Sequence, residues 1–170
     1  MKLLGAILII LATTWSGFEA AKKLTERPRQ LRQLKVALQS LEAEIMYCHT
    51  PLSEASLHVS EQIKKPLAWF FERFAKRLYQ GETSVSNAWS ESLDEIWGMT
   101  AFGQGEYEVL RQFGETLGQH DREHQQKHIR LALTHLEREE NDAREKQERY
   151  EKMVKSLGFL SGLLIVILLL

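Results

Sequence analysis

The chain has 170 residues, 44% of them hydrophobic and 26% charged, with 22 basic against 23 acidic side chains and a formal charge of −1. That length is one ordinary domain with a real core, and the balanced charge removes the global basic field of nucleic-acid binders. A single cysteine, Cys48, excludes an intrachain disulfide and a cysteine-based zinc site. The mean hydropathy of −0.31 conceals a segregation: apolar residues gather at both ends, and the middle is polar with heptad-like spacing.

From Leu3 to Phe18 the chain carries no charge. As a helix this run spans roughly 24 Å, a little less than a ~30 Å hydrocarbon core, with Lys2 and Lys22 able to snorkel outward. A cleaved signal peptide is the alternative. Against it, Trp15 to Ala21 holds no clean small-x-small site, and Lys22, Lys23, Arg27, Arg29, Arg32 and Lys35 come directly after and oppose export. Residues 1–21 are therefore expected to be a retained transmembrane anchor, with residues 22–152 a cytoplasmic helical bundle and stalk.

Leu31, Leu34, Leu38, Leu41, Ile45 and Cys48 recur at 3-4-3-4-3 spacing, an apolar seam that predicts a helix from Pro28, placed in its first turn, to about His49. On this seam Cys48 reads as a small buried hydrophobe. Thr50 is expected to cap a second helix starting at Pro51 and burying Leu52, Ala55, Val59 and Ile63. After Lys64-Lys65-Pro66 a third helix buries Leu67, Phe70, Phe71, Phe74 and Leu78 and ends before Gly81. Trp69, Phe70, Phe71 and Phe74 together exceed what one face can cover; a thick core is the preferred reading, and Trp69 is the candidate for a subunit or partner interface.

Ser84 reads as the N-cap of a fourth helix with Val85, Ala88, Trp89, Leu93, Ile96 and Trp97 inside and Gly98 at its end. Phe102-Gly103-Gln104-Gly105 is expected to be a turn before a fifth helix marked by Tyr107, Leu110, Phe113 and Leu117, which Gly118 stops. Asp121 can cap a sixth helix continuous to Leu170, its seam of Ile129, Ala132, Leu136, Ala143, Tyr150 and Met153 interrupted at Glu139 and Lys146. Such a helix is about 75 Å long, so its polar middle, Glu137 to Lys152, is expected to leave the bundle as a solvated stalk with i,i+4 pairs such as Glu148–Lys152. Ser156 to Leu170 is again uncharged, and residues 153–170 read as a second anchor. The fold class is all-α: a six-helix cytoplasmic bundle with an anchor at each end.

Chemistry is sparse. His120, His124, His128 and His135 are spaced for neighbouring faces, and a metal hydrolase would use His120 and His124 with Glu123. The His-Glu-x-x-His pattern is missing, so a solvated polar face is the preferred reading. No phosphate-cradling glycine loop and no nucleophile elbow occurs. No catalytic residue, cofactor, metal or small-molecule substrate is assigned. A two-anchor signalling relay is the alternative among non-enzymes, weakened because neither anchor leads to an extracellular domain.

Thr25-Glu26-Arg27-Pro28-Arg29-Gln30-Leu31-Arg32, Leu41-Glu42-Ala43-Glu44-Ile45, Thr50-Pro51-Leu52-Ser53-Glu54-Ala55 and Gly114-Glu115-Thr116-Leu117-Gly118, with Asp121 and Gln125 beyond, resemble the stage III sporulation protein AB family of endospore-forming bacteria. More distantly, Pro51-Leu52, Gly81 with Val85 and Ala88, and Gly105-Glu106 are similar to the F-type platform proteins of type II secretion and type IV pilus machines. Those have two such domains, whereas this chain has one. The resemblance implies a scaffold of the channel between mother cell and forespore, in the mother-cell membrane around the forespore. It also implies a secretion-type ATPase and other membrane proteins as partners; two anchors, by confining the chain to the lipid bilayer, favour self-association. The resemblance and the surface reading together suggest Arg27, Arg29, Thr50, Pro51, Leu52, Trp69, Gly114, Glu115, Gly118 and Asp121 as contact positions. Gly158 and Gly162, a small-xxx-small pair, are candidates for packing the tail helix.

Overall fold

Apolar residues at every third or fourth position become six α-helices in the computed structural model, with no strand among the described residues. The structure describes the backbone of residues 2–81, 83–118 and 122–169, and the side chains of 21–81, 83–118 and 123–153. The helices are α1 (Lys2–Ala43), α2 (Leu52–Gln62), α3 (Leu67–Gln80), α4 (Val85–Trp97), α5 (Gln104–Thr116) and α6 (Arg122–Leu169), with a π-helical turn, Glu44–Cys48, continuing α1. Short connections return each helix alongside its predecessor, and α6 closes the bundle against α1. The apolar runs 3–18 and 156–170, with Gly158 and Gly162, and the residues His120 and Asp121 lie outside the described side chains. Among the described residues no helix is long and apolar enough to cross a membrane.

Seam residues fill the core. Leu31, Leu34, Leu38 and Leu41 of α1 meet Phe70, Phe71 and Phe74 of α3, Trp89 and Ile96 of α4, Leu110 of α5, and Ile129 and Leu136 of α6, all essentially solvent-free. Trp89 is the centrepiece. Phe70, Phe74 and Phe113 meet its ring edge-on at centroid distances of 4.6, 5.1 and 5.2 Å. Its indole N–H donates to the Leu110 carbonyl at 2.8 Å, which removes the penalty of burying that donor. Trp69, beside this cluster, is half-buried with Lys65 Nζ 4.8 Å from its ring centroid. Ser84 Oγ accepts the Asn87 N–H and starts α4, while Gly81 ends α3 in the left-handed region at φ 66°.

The first four departures from the sequence reading have local causes. Pro28 lies inside α1, not in its first turn, and α1 runs unbroken through it. An interior proline costs about 3 kcal/mol, whereas burying Leu31, Leu34, Leu38 and Leu41 contributes about 1.5–3 kcal/mol each, so packing wins. Cys48 is exposed, not buried. The wider π-helical turn inserts one residue, which rotates the next residues by about 100° and carries Cys48 off the seam after Ile45. Thr50 does not cap α2: its hydroxyl donates to the Glu44 carboxylate at 2.7 Å, and Pro51 occupies the cap position. Gln104 and Gly105 are already helical, because Gly103 supplies the cap of α5.

The fifth departure is architectural. The polar middle of α6 is no lone stalk; it pairs antiparallel with α1. Glu139 and Glu140 reach across to α1, and Ala143 is buried between the helices. Farther along, the intrahelical pair is Arg149–Glu145 at 2.6 Å.

Gly114 of α5 lies flat against Trp89, where an added Cβ would approach Cγ to 2.7 Å. Gly114→Ala must therefore displace the central ring. A loss of about 1–3 kcal/mol is expected, read as a lower denaturation midpoint of the full chain in detergent; an unchanged midpoint would show that the ring yields freely.

Candidate functional site

A charged cluster sits where α1 and α6 run on together beyond the start of α5. Arg27 of α1 donates through Nε to Glu106 Oε1 at 2.7 Å and through Nη2 to Glu139 Oε2 at 2.8 Å. Its side chain is 17% exposed, that of Glu106 0% and that of Glu139 28%. The second oxygen of Glu106 accepts the Gly103 N–H at 2.9 Å, so one carboxylate both caps α5 and binds α1. Gly105 lets Glu139 close down on the α5 backbone, since a Cβ there would stand 2.6 Å from Glu139 Oε1. Three helices thus meet on one guanidinium.

Neighbouring contacts extend this clasp. Gln30, nearly buried, accepts the Ala101 N–H at 2.8 Å and holds the α4–α5 connection to α1. One turn further, Glu140 accepts from Lys35 at 3.1 Å and from Arg32 at 3.3 Å. Burial works against charge on Arg27, but the hydrogen bond and charge of Glu106, with Glu139 and Asp142 adding, outweigh it and raise the pKa above the ordinary guanidinium value. At Glu140 burial pushes the carboxyl pKa up, and the hydrogen bond and charge of Lys35, then of Arg32, overcome it and hold the pKa below the usual carboxylate range. Donors and acceptors of the clasp are engaged with each other, so it fixes three helices in register.

The contact positions suggested by sequence separate into two ends and a flank. Arg27 is at the clasp, and exposed Arg29 pairs with Glu26 at 3.2 Å. Thr50, Pro51 and Leu52 form the α1–α2 corner, which is the far end of α1; Glu115 and Gly118 close α5 at that same end. There Val85 at the start of α4 lies against Gly118. Trp69 lies along the flank, and Gly114 faces the core. His124 and Glu123 are exposed and line a shallow groove with Lys127 and Arg130. Among the described residues no group of three or more His, Cys, Asp or Glu side chains could hold a metal ion.

Sequence reasoning missed Glu106, Glu139, Glu140 and Gln30. A signal existed, because each clasp residue occupies a seam phase. Glu106 precedes Leu110 and Phe113 by four and seven positions, Arg27 precedes Leu31 by four, and Glu139 is the interruption in the α6 seam. Charges that fall where three apolar faces should continue are candidates for pairing.

Removing one member of a buried ion pair strands the other. Arg27→Met is expected to cost about 3–5 kcal/mol in chemical denaturation, and adding Glu106→Gln should recover most of it; additive losses would mean the two residues act separately. The pH dependence comes from Glu140. A depressed folded-state pKa contributes stability that is complete above the unfolded value, near ~4.3, and lost as pH falls through the lowered one. Glu44 acts in the same direction: the Thr50 hydrogen bond lowers its pKa, burial opposes, and His58 adds to the lowering. Stability should fall below about pH 4.5, less steeply in Lys35→Gln.

The model of the family described as stage III sporulation protein AB matches residues 2–170. Stage III sporulation protein AB of Bacillus subtilis (strain 168) is 58% identical over 169 residues, covering 99% of each chain. The solved structure of stage III sporulation protein AB (SpoIIIAB) superposes with a TM-score of 0.70 at 55% identity, covering 73% of this chain and 98% of that one. With a sequence match over nearly its whole length and the same helical bundle, this chain belongs to the stage III sporulation protein AB family.

Proposed function

We propose that this sporulation protein is a non-enzymatic scaffold of the channel apparatus between mother cell and forespore. In this reading residues 1–21 and 153–170 anchor it in the mother-cell membrane. Residues 22–152 then form a cytoplasmic body that docks a secretion-type ATPase and neighbouring membrane proteins and associates with itself.

The register of α1 on α6 carries the reading. Ion pairs and hydrogen bonds match Glu42 with Gln126 and Arg130, Lys35 with Glu137 and Glu140, and Arg27 with Glu139. Continued at about 1.5 Å per residue in both helices, that register sets residue 18 level with about residue 152. The uncharged run 3–18 then lies beside the run that begins near 153, and both enter one bilayer from one side. Lys22, Lys23, Arg149 and Lys152 stand on the near side of that boundary, as the positive-inside rule asks of a cytoplasmic body. The corner Thr50–Leu52 and the end of α5 then face away from the lipid, roughly 40–45 Å from it, where a soluble ATPase has access.

Double anchoring is tested by carbonate extraction and sedimentation. Deleting residues 2–18, or introducing Leu163→Asp with Ile165→Asp, should each leave the chain in membranes, while the combination releases it. A chain that stays bound with both changes overturns the reading. Docking is tested in a Cys48→Ser background in cells that make the ATPase: cysteines at Thr50 and Glu115 should crosslink to it and one at Lys76 on the flank should not. The reverse pattern rejects the far end as the docking face.

A further inference from the structure

Two features that bend helices fall within one turn of α1, beside the clasp. Pro28 has no N–H, so the Leu24 carbonyl lacks its helical donor. Thr25 returns its hydroxyl to the Ala21 carbonyl at 3.1 Å, a back-bond that loosens the same turn. On one side of this turn α1 is fixed to the bundle by Leu31 and Leu34, both fully buried. Along the turn itself a groove of about 520 Å³ lies between α1 and α6, lined by Thr25, Pro28, Arg29 and Arg32 from α1 and by Arg144, Gln147, Glu148 and Glu151 from α6. The weak turn thus has open space on its α6 side, with Arg27 between its two weakened positions.

We infer that α1 is a jointed lever: residues N-terminal to Thr25 pivot on the bundle at Thr25–Pro28, and Arg27 is the latch that holds the joint closed. The latch has one discrete closed geometry, requiring α1, α5 and α6 together, so the joint is either latched or open. Prolines and back-bonding hydroxyls are where helices kink, and hinge residues sit at such element boundaries. Opening the latch also frees Glu106 at the start of α5, next to the connection that Gln30 holds through Ala101, so motion of the arm and of the α4–α5 connection is coupled. The joint lies wholly within the bundle side of the helix pair, and the inference stands whether or not the arm is anchored in lipid.

The test is electron–electron distance measurement on the full chain in detergent, in a Cys48→Ser background because Cys48 is exposed. Spin labels at Lys22→Cys and Lys76→Cys report the arm, and labels at Lys76→Cys and Gln112→Cys report the bundle; all three positions are exposed. The arm distance should be narrow in the parent, at least twofold broader in Arg27→Gln, and narrow again when Pro28→Ala is added. The bundle distance should stay narrow throughout. An arm distance unchanged by Arg27→Gln overturns the latch, and one that stays broad with Pro28→Ala overturns the joint. Equal broadening of the bundle pair makes Arg27 a general stability element and overturns both. If Arg27→Gln loses its cooperative melt, Glu106→Gln, which keeps an acceptor for the Gly103 N–H, is measured with the same outcomes.

Discussion

A guanidinium taken out of water must be matched by acceptors that do not themselves remain unpaired, and Arg27 meets that condition with two carboxylates from two other helices. The rest of the architecture depends on where this pairing stands. It fixes α5 at its first turn through Glu106, sets the register of α6 through Glu139, and leaves α1 and α6 to run on as a pair. Because any slip by one helical turn would strand a buried charge, the cluster discriminates between registers more sharply than leucine contacts of comparable area. Apolar packing around Trp89 supplies the bulk of the stabilisation, and the clasp specifies which arrangement is stabilised.

The two regions divide the molecule. Around Trp89, four aromatic rings and the leucines of α1 make a close-packed interior in which even a methyl group on Gly114 has no room. Toward the clasp the interior gives way to ion pairs and then to an open groove between α1 and α6. Such a division would suit the proposed scaffold, with partners held at the close-packed end and the proposed joint at the other. The far end, with the π-helical turn stitched by Glu44 to Thr50 and His58, is likewise built from side-chain contacts.

Much of the bundle was legible residue by residue. Leu31, Leu34, Leu38, Leu41, Phe70, Trp89, Leu110, Ile129 and Leu136 were read as core from their spacing and are buried; Ser84 and Gly81 cap where their chemistry puts them. Cys48 was misread because periodicity assumes a uniform helix, and one inserted residue rotates everything after it. Glu106 and Glu139 were passed over because an acid on an apolar seam looks like an interruption until its counter-ion arrives from another helix. Of the suggested contact positions, Arg27 and Gly114 turned out to serve the chain's own packing, and Thr50, Pro51, Leu52, Glu115 and Gly118 share one end of the bundle.

The sequence alone determined the all-helical class, the phase of most buried faces and the family, because a helix's amphipathic period depends on residues within a few positions of one another. Only the tertiary structure decided that α1 passes straight through Pro28, that the polar stretch of α6 is paired, and that Arg27, Glu106 and Glu139 form one cluster. The physical reason is distance along the chain. Arg27 stands 79 and 112 residues from its two partners, and no local spacing rule encodes an attraction that exists only after the intervening helices have packed.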